Sequence, residues 1–244
     1  MIRVRTCEIQ DWEDYDKKTL LVFVVAVVAG VSVMGYYLWK GPDLSSYGHL
    51  VEPAISTMPP QRMIVVEVRG DPDHVASEAY EMLYDLYYGV DGVDYWPLPA
   101  PRARWPISPG LPREEWIGIY GIPVPDSVEE LPEYVHFPGM TVSLTTWDYG
   151  EVAELLYIGP YEDETPSIER LRSFAAERGY TFAGPHEEEY LKGPGMIFRG
   201  NPEEYVTILR YVIKPMTEPP DGGTTSDPAG STESEPSEGT VVPD

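Results

Sequence analysis

Residues 151–191, EVAELLYIGPYEDETPSIERLRSFAAERGYTFAGPHEEEYL, constrain the fold more than any other stretch of the chain. They read as strand, tight turn, helix, loop and strand. Residues 151–158 are rich in apolar side chains and are bounded by Gly150 and by Gly159-Pro160. Thr165-Pro166 pairs an N-cap residue with a proline at the first helical position. Ile168, Leu171 and Ala175, with Phe174 beside them, then recur on one helix face. Gly179 suits a left-handed C-terminal residue, which predicts a helix of about four turns. Residues 187–191 follow as an extended segment. Its three consecutive glutamates are unusual, because alternation puts Glu188 and Tyr190 on one face and Glu187 and Glu189 on the other. Such a run suits either a solvated edge strand or a strand that aims Glu188 into a cavity beside Tyr190.

The spaced residues Tyr157 to Tyr161 with Pro166, then Gly184, His186, Glu188, Tyr190 and Leu191, then Pro202, Glu203, Thr207, Leu209, Arg210 and Tyr211 form a pattern. It resembles the second half of the GyrI-like small-molecule-binding domain, the effector-binding domain of multidrug-responsive regulators. The resemblance covers about 65 residues and differs at Tyr157, where the family usually has His. It implies an α+β fold of two fused strand–helix–strand–strand units, forming an antiparallel sheet with helices on one face and a central ligand cleft. It also implies that Glu188 meets cationic or electron-poor ligands in that cleft.

The rest of the chain supplies context. Residues 19–39, TLLVFVVAVVAGVSVMGYYLW, carry no charge and as a helix rise about 30 Å, enough to cross a bilayer. Lys17, Lys18 and Lys40 bracket them, with Tyr36, Tyr37 and Trp39 at one end. We therefore expect an arm at 1–18, a membrane span at 19–39 and a linker at 40–61. A GyrI-like domain at 62–216 and a disordered acidic tail at 217–244 follow. Arg3, Arg5, Lys17 and Lys18 precede the span, which favours a cytoplasmic N-terminus and an exported domain. Within the domain, residues 63–68 read as a strand, and Asp71-Pro72 opens a second capped helix. Residues 91–113, with six prolines, read as an irregular loop. Residues 115–124, 140–147 and 207–213 read as strands, with Asp148-Tyr149-Gly150 as a hairpin turn.

Net charge is -24, from 41 acidic and 17 basic residues, which excludes nucleic acid as a partner. One cysteine, Cys7, precludes an internal disulfide framework. The four histidines, at 49, 74, 136 and 186, lack metal-ligand spacing, and no cofactor fingerprint is present, so neither metal nor cofactor is expected. What remains is a carboxylate in an apolar cleft, costly to ionise until an organic cation pairs with it. Aromatic faces add about 0.5–2 kcal/mol each to such a cation. Candidate ligand-binding residues are thus Glu188 and Tyr190, with Tyr157, Trp147, Tyr120 and Trp116 as walls. The first reading is a membrane-anchored binder of amphiphilic or cationic small molecules, with the lipid bilayer as its other partner. The alternative is a hydrolase of strained electrophiles with Glu188 as general acid or base, as some GyrI-like proteins resemble. A third is a membrane-tethered adaptor, since the layout is similar to that of an animal endoplasmic-reticulum autophagy receptor.

Overall fold

A computed structural model describes residues 17–40, 43–94, 97–106, 110–194 and 200–216. Residues 1–16 of the expected N-terminal arm and the expected acidic tail at 217–244 lie outside these. Among the described residues there are three α-helices, α1 (Lys17–Lys40), α2 (Pro72–Gly89) and α3 (Thr165–Ala176). Nine strands accompany them: β1 (Ala54–Met58), β2 (Gln61–Arg69), β3 (Arg102–Trp105), β4 (Ile117–Pro123), β5 (Met140–Trp147), β6 (Gly150–Ile158), β7 (Tyr180–Phe182), β8 (His186–Lys192) and β9 (Val206–Pro215). All pair antiparallel in the order β1-β6-β9-β8-β3-β4-β2-β5, with β7 added on β9. The fold is the expected α+β class. Its duplication is explicit: β2-α2-β3-β4 and β6-α3-β8-β9 are two strand–helix–strand–strand units, and they meet where β3 pairs with β8.

One cross-strand row of side chains runs Val66, Tyr120, Ala103, Glu188, Leu209, Leu155 and faces the helices. α2 buries Ala79, Met82, Leu83 and Leu86 over the first unit's end of that face, and α3 buries Leu171 and Ala175 over the second's. Asp71 caps α2, accepting from the Asp73 amide at 3.1 Å, with Pro72 just inside the helix as expected. α3 is shorter than predicted, at 12 residues, and Glu164 rather than Thr165 occupies its N-cap position without a side-chain cap bond.

The opposite face is enclosed by curvature. β5 and β6 lie far apart in strand order, yet only Asp148 and Tyr149 join them, so the sheet must curl until its ends approach. The expected Asp148-Tyr149-Gly150 hairpin is therefore not one, because β5 pairs with β2 and β6 with β1 and β9. Inside the curl the row Glu154–Arg210–Glu187–Arg104 crosses four strands with alternating charge. Arg210 donates to Glu154 at 2.8 Å, Glu187 at 2.6 Å and Glu189 at 2.9 Å. Arg104 donates to Glu187 at 2.7 Å, and the guanidinium of Arg102 lies 3.0 Å from Glu189. Burial opposes the Arg210 charge, but Glu189, Glu187 and Glu154 more than offset it and raise its pKa. A solvated edge is thus not where the glutamate run sits: β8 is a central strand, and Glu187, Glu188 and Glu189 are all buried.

Two segments differ from expectation. The expected linker contributes β1, paired with β6 from Ala54 to Met58. The proline-rich loop contains β3, which fits between Pro101 and Pro106 because neither proline has to donate within the ladder. α1 is helical throughout 17–40, with Leu20, Leu21, Val22 and Phe23 all more than half exposed. Side chains are described only for residues 19–32 of it, a stretch shorter than the roughly 20 apolar residues a span needs. Among the described residues no helix is long and apolar enough to cross a membrane.

Because Arg210 holds three buried carboxylates, Arg210→Ala is expected to destabilise the domain by about 3–5 kcal/mol. Urea unfolding of the variant checks this. A loss within about 0.5 kcal/mol would show that the row does not hold the sheet.

Candidate functional site

The seam between the units, where β3 pairs with β8, holds aromatic rings packed against the edge of the α2 core, and it carries the chemistry. His186, Glu188 and Tyr190 project there from alternate positions of β8. Across the seam, β3 brings Trp105 opposite His186 and Ala103 opposite Glu188. β4 brings Tyr120, α2 brings Tyr80, and the 3-10 turn Tyr161–Asp163 brings Tyr161 from the second unit.

The rings form a continuous belt. Centroids are 6.1 Å apart for Trp116–Trp105, 5.8 Å for Trp105–Tyr120 and 5.0 Å for Tyr120–Tyr80. The belt continues at 6.1 Å for Tyr80–Tyr190 and 5.5 Å for Tyr190–Tyr161. All five pairs meet edge-to-face, the arrangement ring quadrupoles favour. The expected open cleft is accordingly a crevice filled with aromatic rings. A cavity of about 210 Å³ lies elsewhere, inside the curl beside Arg104, Glu187 and Arg210.

Glu188 is the electrostatic centre of the belt, with its side chain only 7% exposed. For Tyr120, Tyr161 and Tyr190 burial raises the phenol pKa first, and the Glu188 carboxylate raises it further. His186 provides the nearest counter-charge. Its Nε2 lies 3.3 Å from Glu188 Oε1 and 3.3 Å from Glu164 Oε1, without a well-aligned hydrogen bond to either. Burial lowers the His186 pKa, yet the two carboxylates outweigh it and bring it to about 9. Glu164 is itself raised, by burial first and in part by Glu188.

Five groups around Glu188 are buried without a hydrogen-bond partner: Tyr80 Oη, Tyr120 Oη, Trp105 Nε1, Glu164 Oε2 and the His186 ring nitrogens. Unmet polar atoms each cost about 1–3 kcal/mol, so their concentration around one carboxylate marks a place organised for something polar.

Of the residues expected at the site, Glu188, Tyr190, Tyr120 and Trp116 come together, Trp116 at the outer end, where its Nε1 donates to the Leu111 carbonyl at 3.1 Å. Trp147 does not. It sits inside the curl with Met63, Val65 and Tyr149, with the Arg104 guanidinium 3.9 Å over its ring. Tyr157 turns to the end of the sheet, donating to the Pro160 carbonyl at 2.6 Å. Tyr80, Trp105, Tyr161, Glu164 and His186 were not among the expected residues. Tyr161 and His186 lie within the sequence pattern described above. Glu164 carried no signal, because Thr165 looked like the cap.

The Tyr120 hydroxyl has no partner and its residue is 1% exposed. Tyr120→Phe is expected to raise stability by about 1 kcal/mol, the reverse of the usual loss. Thermal or urea unfolding checks the sign. A loss of that size would mean the hydroxyl is hydrogen-bonded in solution.

No family model matches the sequence, and no curated protein matches it. Among solved structures the chain is similar to a hydrolase from Listeria innocua, at 22% identity and a TM-score of 0.56, covering 67% of this chain and 92% of that one. An uncharacterized conserved protein from Listeria innocua matches at 22% identity and a TM-score of 0.58, covering 71% and 100%. A second structure of a hydrolase from Listeria innocua matches at 20% identity and a TM-score of 0.58, with the same coverage. At these identities the likeness is one of fold: the two-unit curled sheet and its helices are shared with these proteins.

Proposed function

We propose that the domain binds small cationic or amphiphilic organic molecules at the seam, with Glu188 as the charge anchor and Tyr80, Tyr120, Tyr161 and Tyr190 as the aromatic box. The observation that carries this reading is a nearly fully buried carboxylate among four tyrosines, two of whose hydroxyls have no partner. A cation between the rings gains the Glu188 charge and several π faces at once. Tyr161 stands on a short 3-10 turn between β6 and α3, the lightest element of the belt and the natural one to give way on ligand entry. The test is fluorescence quenching by tetraphenylphosphonium, a lipophilic cation. Glu188→Gln is expected to weaken binding at least about 10-fold, the scale of 1.4 kcal/mol or more for a desolvated charge partner. Equal affinity in wild type and variant would remove Glu188 from the site.

A second reading is hydrolysis of electrophilic small molecules. It is favoured by the placement of Glu188 against His186, with phenol hydroxyls close by, an arrangement suited to moving a proton at the Glu188 carboxyl. Hydrolase is also the description of two of the similar solved structures. Turnover of an electrophile by wild type and its loss in Glu188→Gln would select this reading over simple binding.

We also propose that α1 anchors the domain in a bilayer with the N-terminus cytoplasmic. Support comes from its 24-residue length, about 36 Å as a helix, and from the exposed apolar side chains over residues 19–32. The full chain is expected to stay with membranes through alkaline carbonate extraction, and a chain lacking residues 1–40 to be released. Recovery of both in the supernatant would overturn the anchor.

A further inference from the structure

We propose that Glu164, His186 and Glu188 form a binding site for a divalent transition-metal cation of the zinc class. The three side chains arrive from two directions. His186 and Glu188 stand two residues apart on β8 and so share a face. Glu164 reaches over from the N-cap position of α3, where its carboxylate makes no cap bond and is left to face the strand. One ligand atom from each lies within 4.8 Å of the other two. The two His186 Nε2 to carboxylate distances are both 3.3 Å. Four-coordinate zinc with bonds of about 2.0–2.1 Å spaces its ligand atoms about 3.3 Å apart.

Two further observations point to a cation. Glu164 Oε2 and His186 Nε2 are buried without a hydrogen-bond partner, so the group is close-packed but not satisfied by the protein. Beside it, the Tyr120 hydroxyl is likewise unpartnered on a residue that is 1% exposed. The charge also calls for a dication. An ion that displaces the His186 proton meets two buried carboxylates, whose two negative charges one dication balances. The imidazole nitrogen favours zinc, cobalt or nickel over magnesium and calcium, which prefer oxygen ligands. Three protein ligands leave a fourth position for water or a bound molecule, as in catalytic rather than structural zinc sites. The sequence alone gives no hint of this site, because Glu164 joins His186 and Glu188 only through the packing of α3 on the sheet.

The test uses the purified full chain, stripped of metal and titrated with Zn²⁺ by calorimetry and with Co²⁺ by visible absorption. One ion per chain is expected, with a Co²⁺ ligand-field band. Glu164→Gln and His186→Gln are each expected to weaken binding at least about 10-fold, and Mg²⁺ is expected not to compete. Glu164→Gln keeps the Glu188 carboxylate, so loss of metal with tetraphenylphosphonium binding retained separates this site from the organic-cation site. Equal Zn²⁺ affinity in wild type and folded variants would mean diffuse binding by the acidic surface and overturn the proposal. Should the variants not fold, the wild-type titration decides: absence of a stoichiometric Co²⁺ band is equally fatal.

Discussion

Burying three consecutive glutamates in a central strand is the constraint the rest of the domain answers. A strand sends neighbouring side chains to opposite faces, so no rotation or shift of β8 can release all three to solvent. Each face must supply its own cations. Inside the curl, Arg102, Arg104 and Arg210 interleave with Glu154, Glu187 and Glu189. On the helix face His186 alone stands between Glu188 and Glu164. The two solutions are unequal. The arginine side is densely hydrogen-bonded, with Arg102 Nε unpartnered, and reads as architecture, whereas the helix side concentrates its unmet polar atoms around Glu188 and reads as a place for chemistry.

Duplication explains why that chemistry lies at the seam. In each unit the third strand lies between the other two, so the second strands, β3 and β8, face one another at the junction. Each helix backbone packs over its own unit, and the junction is left to side chains, among them Tyr80 of α2 against Tyr190 of β8. Aromatic rings fill that gap because they cover wide areas on few rotatable bonds. The belt from Trp116 to Tyr161 is therefore both the wall of the crevice and the packing that joins the units.

Much of this architecture was legible in the sequence. The cap and proline at Asp71-Pro72, the apolar spacing from Val75 to Leu86 and the alternation in residues 140–147 have local causes, and each element formed where those causes placed it. β1, β3 and β7 were not legible, since strands of three to five residues are too short to show a period. β3 also carries prolines on both sides, which read as an irregular loop until pairing with β4 and β8 is known. At the site, alternation put Glu188 and Tyr190 on one face but left open whether that face met solvent or a cavity. The side of the sheet taken by Trp147 depended on curvature, and the turn of Glu164 toward His186 on a helix end that looked capped by its neighbour. Both are tertiary outcomes with no local trace.

The position of β9 carries one more consequence. It is the final strand of the second unit, yet it lies between β6 and β8 and supplies Arg210 to carboxylates on both. During synthesis, β6 and β8 leave the ribosome before the strand that joins them and before the guanidinium that neutralises them. The carboxylates of Glu154, Glu187 and Glu189 must stay hydrated until then, so the nascent second half resists premature collapse and closes as one late, long-range event.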